Sequence, residues 1–265
     1  MTNLTQFNEV EPKQNSSYYA TSGSIDTSSK YKTLSTGEVV EFFREKGFYI
    51  SHYTEAGVRA DKNRGKTKHL VRLRRIKDRD IKDAPEILIT NSHNKYTSLR
   101  LNIGIYRYAC ANGLIMGDTF YCERLNHIGN NIELHLEKVL KDIEVKFYQA
   151  EKMVMEMKTT QLDYNQRRAF LESVIPLRFA AKQQVFLGDL DYVFNLKPQR
   201  EADEKIDVYT IMNVIQERLI KGGFKYHLLD DKLNVKVKET KPVKGLTQNE
   251  KINKGMFDLA MSYVS

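Results

Sequence analysis

Residues 130–157 read NNIELHLEKVLKDIEVKFYQAEKMVMEM. Ile132, Leu136, Val139, Leu140, Ile143, Phe147, Ala150, Val154 and Met157 recur there at intervals of three and four. That spacing returns apolar side chains to one side of a 3.6-residue helix. Asn130, with Glu133 three positions on, is arranged as a capping pair. The stretch predicts one amphipathic helix of roughly 28 residues, about 40 Å long at 1.5 Å per residue. Such a stripe serves either as a seam against a sheet of the same chain or as a seam between copies, so a homo-oligomer is one expectation.

N-terminal to this helix the pattern changes to strands. Ser35 or Thr36 can cap a short helix carrying Val39, Val40, Phe42 and Phe43, which stops at Gly47. Phe48 to Tyr53 reads as a strand, and so does Thr67 to Ile76, with Val71 and Leu73 on one side and Arg72 and Arg74 on the other. Glu86 to Thr90 is a further strand. Tyr96 to Tyr108 alternates Leu99, Leu101, Ile103 and Ile105 against Arg100 and Asn102. Asn91 to Asn94 and Asn112-Gly113 carry turn chemistry. C-terminal to the long helix, Thr160 with Asp163 can start a second helix that Pro176 interrupts or ends. Gly188 to Asp207 is a connection. Val208 to Lys221 is helical and closes at Gly222-Gly223. Leu233, Val235 and Val237 suggest a short hairpin, and Thr247 with Glu250 caps a last helix carrying Ile252, Met256, Leu259 and Tyr263. Strands first and helices after predict an α+β fold. Residues 1–30, rich in Ser, Thr, Asn and Gln, read as a disordered polar tail. Residues 31–265 read as one domain, strand-rich over 31–122 and helical over 123–265.

The charge is as uneven as the pattern. The chain carries a formal net charge of +8, and residues 57–82 alone hold eleven Lys and Arg against three Asp. Concentrated positive charge on one segment is the electrostatic footprint of a polyanion binder. Arg59, Lys62, Arg64, Lys66 and Lys68 fall in a loop, Arg72, Arg74 and Arg75 on a strand, and Arg100 on the polar side of a neighbouring one. Several cations on one face release counterions from phosphates. Tyr49, Tyr53, Tyr96, Tyr106 and Tyr108 are interleaved nearby, where rings can stack on unpaired bases. The first expectation is therefore a nucleic-acid partner, single-stranded DNA in particular. The second is a protein-interaction module that uses the same patch against an acidic host or phage protein, for instance as an antagonist of host defence.

No catalytic constellation stands out. Cys110, Cys122, His127 and His135 match no common zinc spacing. Ser92 and His93 are adjacent, whereas a nucleophile and its base converge from separate elements. Asp61, Asp78 and Asp80 form no recognisable nuclease cluster. No GxxxxGK[ST] phosphate loop occurs, which argues against an ATP-driven activity. A non-enzymatic protein without cofactor or metal is expected. Two cysteines make no disulfide framework. The N-terminus lacks a signal peptide and no apolar run is long enough to span a bilayer, so the host cytoplasm is the expected compartment.

The run NSHNKYTSLRLNIGIYRYACANGLIMG resembles the signature of the phage/plasmid-like protein family, also called domain of unknown function 932. The matching positions are Asn91, Ser92, His93, Arg107, Cys110, Asn112 and Gly113. DVYTIMNVIQERLIKGG is similar to that family's Asn-Xaa-Xaa-Gln-Glu helix at Asn213, Gln216 and Glu217. TQNEKINKGMFDLAMSYV is similar to its closing helix at Lys251, Asn253 and Phe257. Asn94-Lys95 stands where Asp-Gly is usual, and Phe257 where Trp is. The resemblance runs from about Tyr31 to the C-terminus. It implies residence in phages, plasmids and integrated elements, and no particular activity. The order of basic strands, further strands and a long helix also resembles, as architecture only, the single-strand-annealing recombinases of phages.

Overall fold

The computed structural model describes residues 9–25, 33–58, 61–94, 96–107, 112–116, 120–125, 132–179, 185–186, 200–223, 225–229 and 234–264. The fold is α+β, and the chain divides into two compact units. The first comprises Met1–Tyr106 and Asp118–Ala150, the second Arg107–Gly117 and Glu151–Ser265.

The first unit begins with helix α1 (Thr36–Glu45). Val39, Val40, Phe42 and Phe43 are buried on it, and Gly47, at φ +85°, turns the chain out of it. Strands β1 (Phe48–Glu55), β2 (His69–Arg75), β3 (Asp83–Asn91) and β4 (Leu99–Arg107) neighbour one another in that order. β1 pairs antiparallel with β2, and β2 with β3. A further strand (Cys122–Leu125) pairs antiparallel with β4. It is β6, because β5 (Asn112–Ile115) precedes it in the chain and belongs to the second unit.

The period-2 alternation gives this sheet one apolar face, with Ile50, Val71, Leu73, Ile87, Ile89, Leu101 and Ile103 buried. Helix α2 (Ile132–Thr159) has the length that its periodicity predicts. Leu136, Val139, Ile143, Phe147, Ala150, Val154 and Met157 are buried, while Ile132 stays exposed. Phe147 packs edge-on to Phe48 of β1 and lies under the Arg75 guanidinium. In the first unit the stripe is thus a seam against the chain's own sheet. The proposed cap at Asn130 falls outside the described residues.

Part of the stretch expected to be a tail is packed. Val10 N donates to Ile50 O (2.9 Å), Ser24 N donates to His93 O (2.7 Å), and Ser17 and Tyr18 are buried. A polar segment can pack without a large apolar surface when its donors find buried acceptors. Ser17 finds one in the Glu55 carboxylate.

In the second unit, helices α3 (Tyr164–Arg178), α4 (Val208–Lys221) and α5 (Leu246–Met261) surround a core that includes Phe170, Met212, Ile215 and Met256. Asp163 caps α3 in a full capping box with Gln166, and Pro176 sits within the helix, which continues to Arg178. α5 starts one residue before Thr247, with Gly245 at its N-cap, so the Thr247–Glu250 pair expected to cap it lies inside the first turns. Asn112-Gly113, expected as a tight turn, is extended in β5. The described turn chemistry there yielded to strand formation, since Asn and Gly are permissive residues and do not enforce a turn. A small sheet orders strands β7 (Val185–Phe186), β8 (Lys225–Leu229) and β9 (Val235–Glu239), the last two forming the expected hairpin. Among the described residues no helix is long and apolar enough to cross a membrane.

Candidate functional site

The second face of the first unit's sheet is polar. Register places Tyr49 opposite Arg74, and His52 opposite Arg72 after a shift at Ser51. Arg74 lies over the Tyr106 ring at 4.1 Å, which puts β4's Tyr106, Asn102 and Arg100 on the same face by alternation. Arg100 in turn faces Arg124 of β6. Four arginines from three strands therefore share this face, and Glu86 is its one carboxylate among the described strand residues.

Glu86 is fully buried and serves two of those arginines. Its Oε2 accepts from Arg72 Nη1 (3.0 Å), and its Oε1 accepts from Arg74 Nε (3.1 Å) and Nη2 (2.7 Å). Ser51 Oγ donates to the same Oε1 (2.7 Å). Arg72 and Arg74 are only 6% and 2% exposed. A carboxylate is needed there because a lone buried charge is costly, and one Glu between two Arg leaves the trio with net charge +1. These two arginines, expected as phosphate contacts, are instead the paired interior of the face.

Arg100 and Arg124 are different. They stand directly opposite each other on neighbouring strands, and neither has a carboxylate partner among the described residues. Arg100 Nε is buried without a hydrogen-bond acceptor, while Arg124 is exposed. Like charges directly opposite on a sheet repel. An anion placed between two guanidiniums would relieve that repulsion and supply the missing acceptor. Nearer β1, the exposed Arg79 lies over the buried Tyr49 ring at 5.5 Å.

The remaining expected cations scatter. Arg75 points to the apolar face, bonded to Asp78 and lying over Phe147. Arg64 pairs with Asp61 at 2.8 Å on an exposed turn that also carries Lys62. Lys66 Nζ donates to Ser22 O and lies 3.1 Å from Ser22 Oγ. Lys68 is half-buried, and Arg59 lies outside the described residues. Thus Arg72, Arg74 and Arg100 converge as their alternation predicts, and Arg75 and the loop residues do not join them. Arg124 and Arg79 were missed, the first because the short β6 shows no alternation signal, the second because Arg79 sits in a turn. Of the tyrosines, Tyr96 is exposed, Tyr53 is half-buried, and Tyr108 is outside the described residues.

The Asn91-Ser92-His93 motif is a buried hydrogen-bond centre. Asn91 Nδ2 donates to Leu34 O (3.2 Å) and to Thr36 Oγ1 (3.0 Å). Ser92 Oγ accepts from Thr97 N (2.9 Å), and His93 N donates to Lys66 O (3.1 Å). The His69 ring stacks on His93 at 5.7 Å between centroids. His69 Nδ1 is 3.0 Å from Thr67 O, so Nδ1 carries the proton, and Nε2 accepts from the Thr36 hydroxyl (2.8 Å). A hydroxyl on an oriented imidazole is the geometry of an activated nucleophile. Here Thr36 and His69 are fully buried, so no substrate can reach the oxygen. Burial lowers the His69 pKa from its ordinary value and keeps the ring neutral. Next to it, burial alone would raise the Glu55 pKa, yet hydrogen bonds from Ser17, Thr67 and Tyr53 outweigh it and hold the carboxylate below its ordinary value.

The resemblance residues of the second unit also form supporting contacts. Arg107 Nη1 donates to Asp203 Oδ1 (2.9 Å) and Nη2 to Ala202 O (2.8 Å). Arg200 bridges Asp203 (2.7 Å) and Glu217. Gln216 Nε2 donates to Asn253 Oδ1, and Asn213 Nδ2 to Tyr209 O (2.7 Å). Cys110 lies outside the described residues. Among the described residues, no group of three or more His, Cys, Asp and Glu could hold a metal ion.

Comparison with known proteins places these observations. The family model described as "Domain of unknown function (DUF932)" matches residues 26–257. The chain is 28% identical over 235 residues to the UPF0380 protein YfjQ of Escherichia coli (strain K12), covering 88% of this chain and 82% of that protein. It is also 28% identical over 235 residues to the UPF0380 protein YafZ of the same organism, with the same coverage. No solved structure matches the chain.

Proposed function

Starting from the DUF932 family, to which this chain belongs and whose description assigns no activity, we propose that the protein binds nucleic acid through the polar face of its N-terminal sheet. We infer single-stranded DNA as the partner, handled without ATP in the replication or recombination of a phage or other mobile element. One observation carries this reading: Arg100 and Arg124 oppose each other with no acid between them. A phosphate supplies the charge that this pair lacks. Arg79 extends the cationic surface beside the Tyr49 ring. The buried Arg72–Glu86–Arg74 trio adds a fixed positive charge beneath it.

The test is fluorescence anisotropy with a labelled single-stranded oligonucleotide across a salt series. Affinity should fall steeply with salt, and Arg100→Gln with Arg124→Gln should lower the logarithmic slope by about 0.7 per lost phosphate contact. Absence of binding at about 50 mM salt, where counterion release drives binding harder than at physiological salt, would remove the proposal.

A second reading, a protein-interaction surface, is favoured by α2. Leu134, Val145 and Tyr148 are 66%, 59% and 71% exposed on the side away from its buried stripe. Binding of a protein partner that survives the Arg100→Gln and Arg124→Gln changes and is lost in Leu134→Ser with Tyr148→Ser would favour that reading over the first.

A further inference from the structure

Strand β1 ends the sheet of the first unit, paired with β2 alone among the described strands. Its sequence, FYISHYTE, is mostly aromatic and β-branched, holds no Lys, Arg or Pro, and carries Glu55 as its one carboxylate. An uncovered end strand presents unpaired N–H and C=O groups to other chains, and proteins guard such edges with lysines, prolines, bulges or a covering segment. A segment of this composition pairs readily when bare. β1 has one irregularity of register, between Ile50 and His52. The rest of its protection falls to residues 9–25.

That segment runs beside β1 in the same direction. Ile50 N donates to Glu9 Oε1 (3.1 Å) and Val10 N donates to Ile50 O (2.9 Å), so a side-chain carboxylate and one peptide N–H stand where a partner strand would. Arg44 of α1 fixes that carboxylate, with Nη2 2.8 Å from Glu9 Oε1. Further along, Ser17 N donates to Glu55 Oε1 (3.1 Å), and beyond it Ser24 N donates to His93 O (2.7 Å). The segment is held largely by such polar contacts. Pro12, Tyr18 and Ala20 are its buried apolar side chains, Tyr18 set edge-on to Tyr53. A segment with few buried apolar contacts opens before the core does.

We propose that residues 9–25 are a displaceable guard, and that the edge they cover pairs with β1 of a second copy when they leave it. β1 with β2, and β2 with β3, are antiparallel pairs, and two identical edges related by a two-fold axis are self-complementary in that same orientation. The guarded chain is a monomer, and release of the segment makes a discrete dimer. The copies then meet through a strand rather than through α2. This surface is the edge of the sheet, not its polar face, and it stands without nucleic-acid binding.

The test is analytical ultracentrifugation of the full chain beside hydrogen exchange at the Ile50 amide. Glu9→Ala with Val10→Pro removes the acceptor for Ile50 N and the donor to Ile50 O. Exchange at Ile50 should quicken about tenfold or more at low protein concentration. A dimer should appear as the concentration rises, with protection at Ile50 returning in step. Glu9→Gln keeps an acceptor oxygen and should behave as the parent chain. Should the double variant unfold, Arg44→Gln frees the Glu9 carboxylate without touching the segment's backbone, and it should show the same two effects in smaller measure. Fast exchange at Ile50 in a chain that stays monomeric overturns the proposal. So does unchanged exchange, a parent chain that dimerises as strongly as the variant, or a polydisperse aggregate without renewed protection at Ile50.

Discussion

His69 shows how a residue with no signal of its own can organise a region. In the sequence it is the first letter of HLVRLRR, distinguishable only as the start of a strand. In the structure it joins Thr36 at the start of α1 to the backbone at Thr67, and Asn91 bonds the same Thr36 hydroxyl. His69 and Asn91 lie 33 and 55 residues from Thr36 in the chain, so only the fold could reveal them. The neutral ring has a consequence for stability. Its folded pKa lies below the ordinary value of 6.5, so the unfolded chain takes up the proton first. The stabilisation is full above about pH 6.5 and declines as the pH falls through and below it. Denaturant unfolding at a series of pH values should show this decline, and His69→Gln should flatten it. Glu55, whose folded pKa is also lowered, loses its contribution further down, below about pH 4.3 where an unfolded carboxylate protonates. An unaltered slope between about pH 6.5 and 5 in the His69 variant would reassign the effect to another histidine.

Elements were readable where one periodicity ruled. α2 and α4 have the bounds that their apolar spacing predicts, because a stripe facing a core leaves a mark every three or four residues. β2 and β4 were readable as two-sided strands for the same reason with period two. The partner of the arginine side was not. Glu86 sits in DAPEILITN as an unremarkable acid, and only the β2–β3 register brings it against Arg72 and Arg74. Long-range pairing decides which charges cancel, and it is not written locally. The junction of α4 with the hairpin was legible, since Gly222-Gly223 marks a helix end, and the structure gives it a second purpose. Gly222 has φ +92°, and a Cβ there would stand 2.6 Å from Thr240 O. Gly222→Ala therefore meets both a left-handed backbone and a carbonyl that cannot move without opening the hairpin root. It should destabilise the chain by about 2 kcal/mol, of which the left-handed conformation supplies about 1–2. Gly57→Ala, at a position with nothing within 4 Å of the new methyl, is the matching control. Chemical denaturation of the pair would separate backbone strain from a general glycine effect.

For the molecule as a whole, net charge does not locate a surface. The surplus of residues 57–82 equals the +8 of the entire chain, yet the segment disperses on folding. Arg72 and Arg74 turn inward to Glu86, Arg75 turns to Asp78 on the other face, and Arg64 pairs with Asp61 in a turn. The opposed pair at Arg100 and Arg124 lies outside the segment altogether. Two mechanisms then give different forecasts. If binding follows the overall field, removing any two cations weakens it alike, because long-range attraction senses the sum. If phosphates sit at the opposed arginines, position matters more than number. Lys62→Gln with Arg64→Gln and Arg100→Gln with Arg124→Gln remove the same formal charge, so the comparison holds net charge constant. The loop pair should slow association at low salt and leave the logarithmic salt slope nearly intact. The sheet pair should reduce the slope by about 0.7 for a single strand, the one phosphate that the two guanidiniums share. Equal changes in both variants would mean that a diffuse field does the binding and that the sheet face has no special part in it.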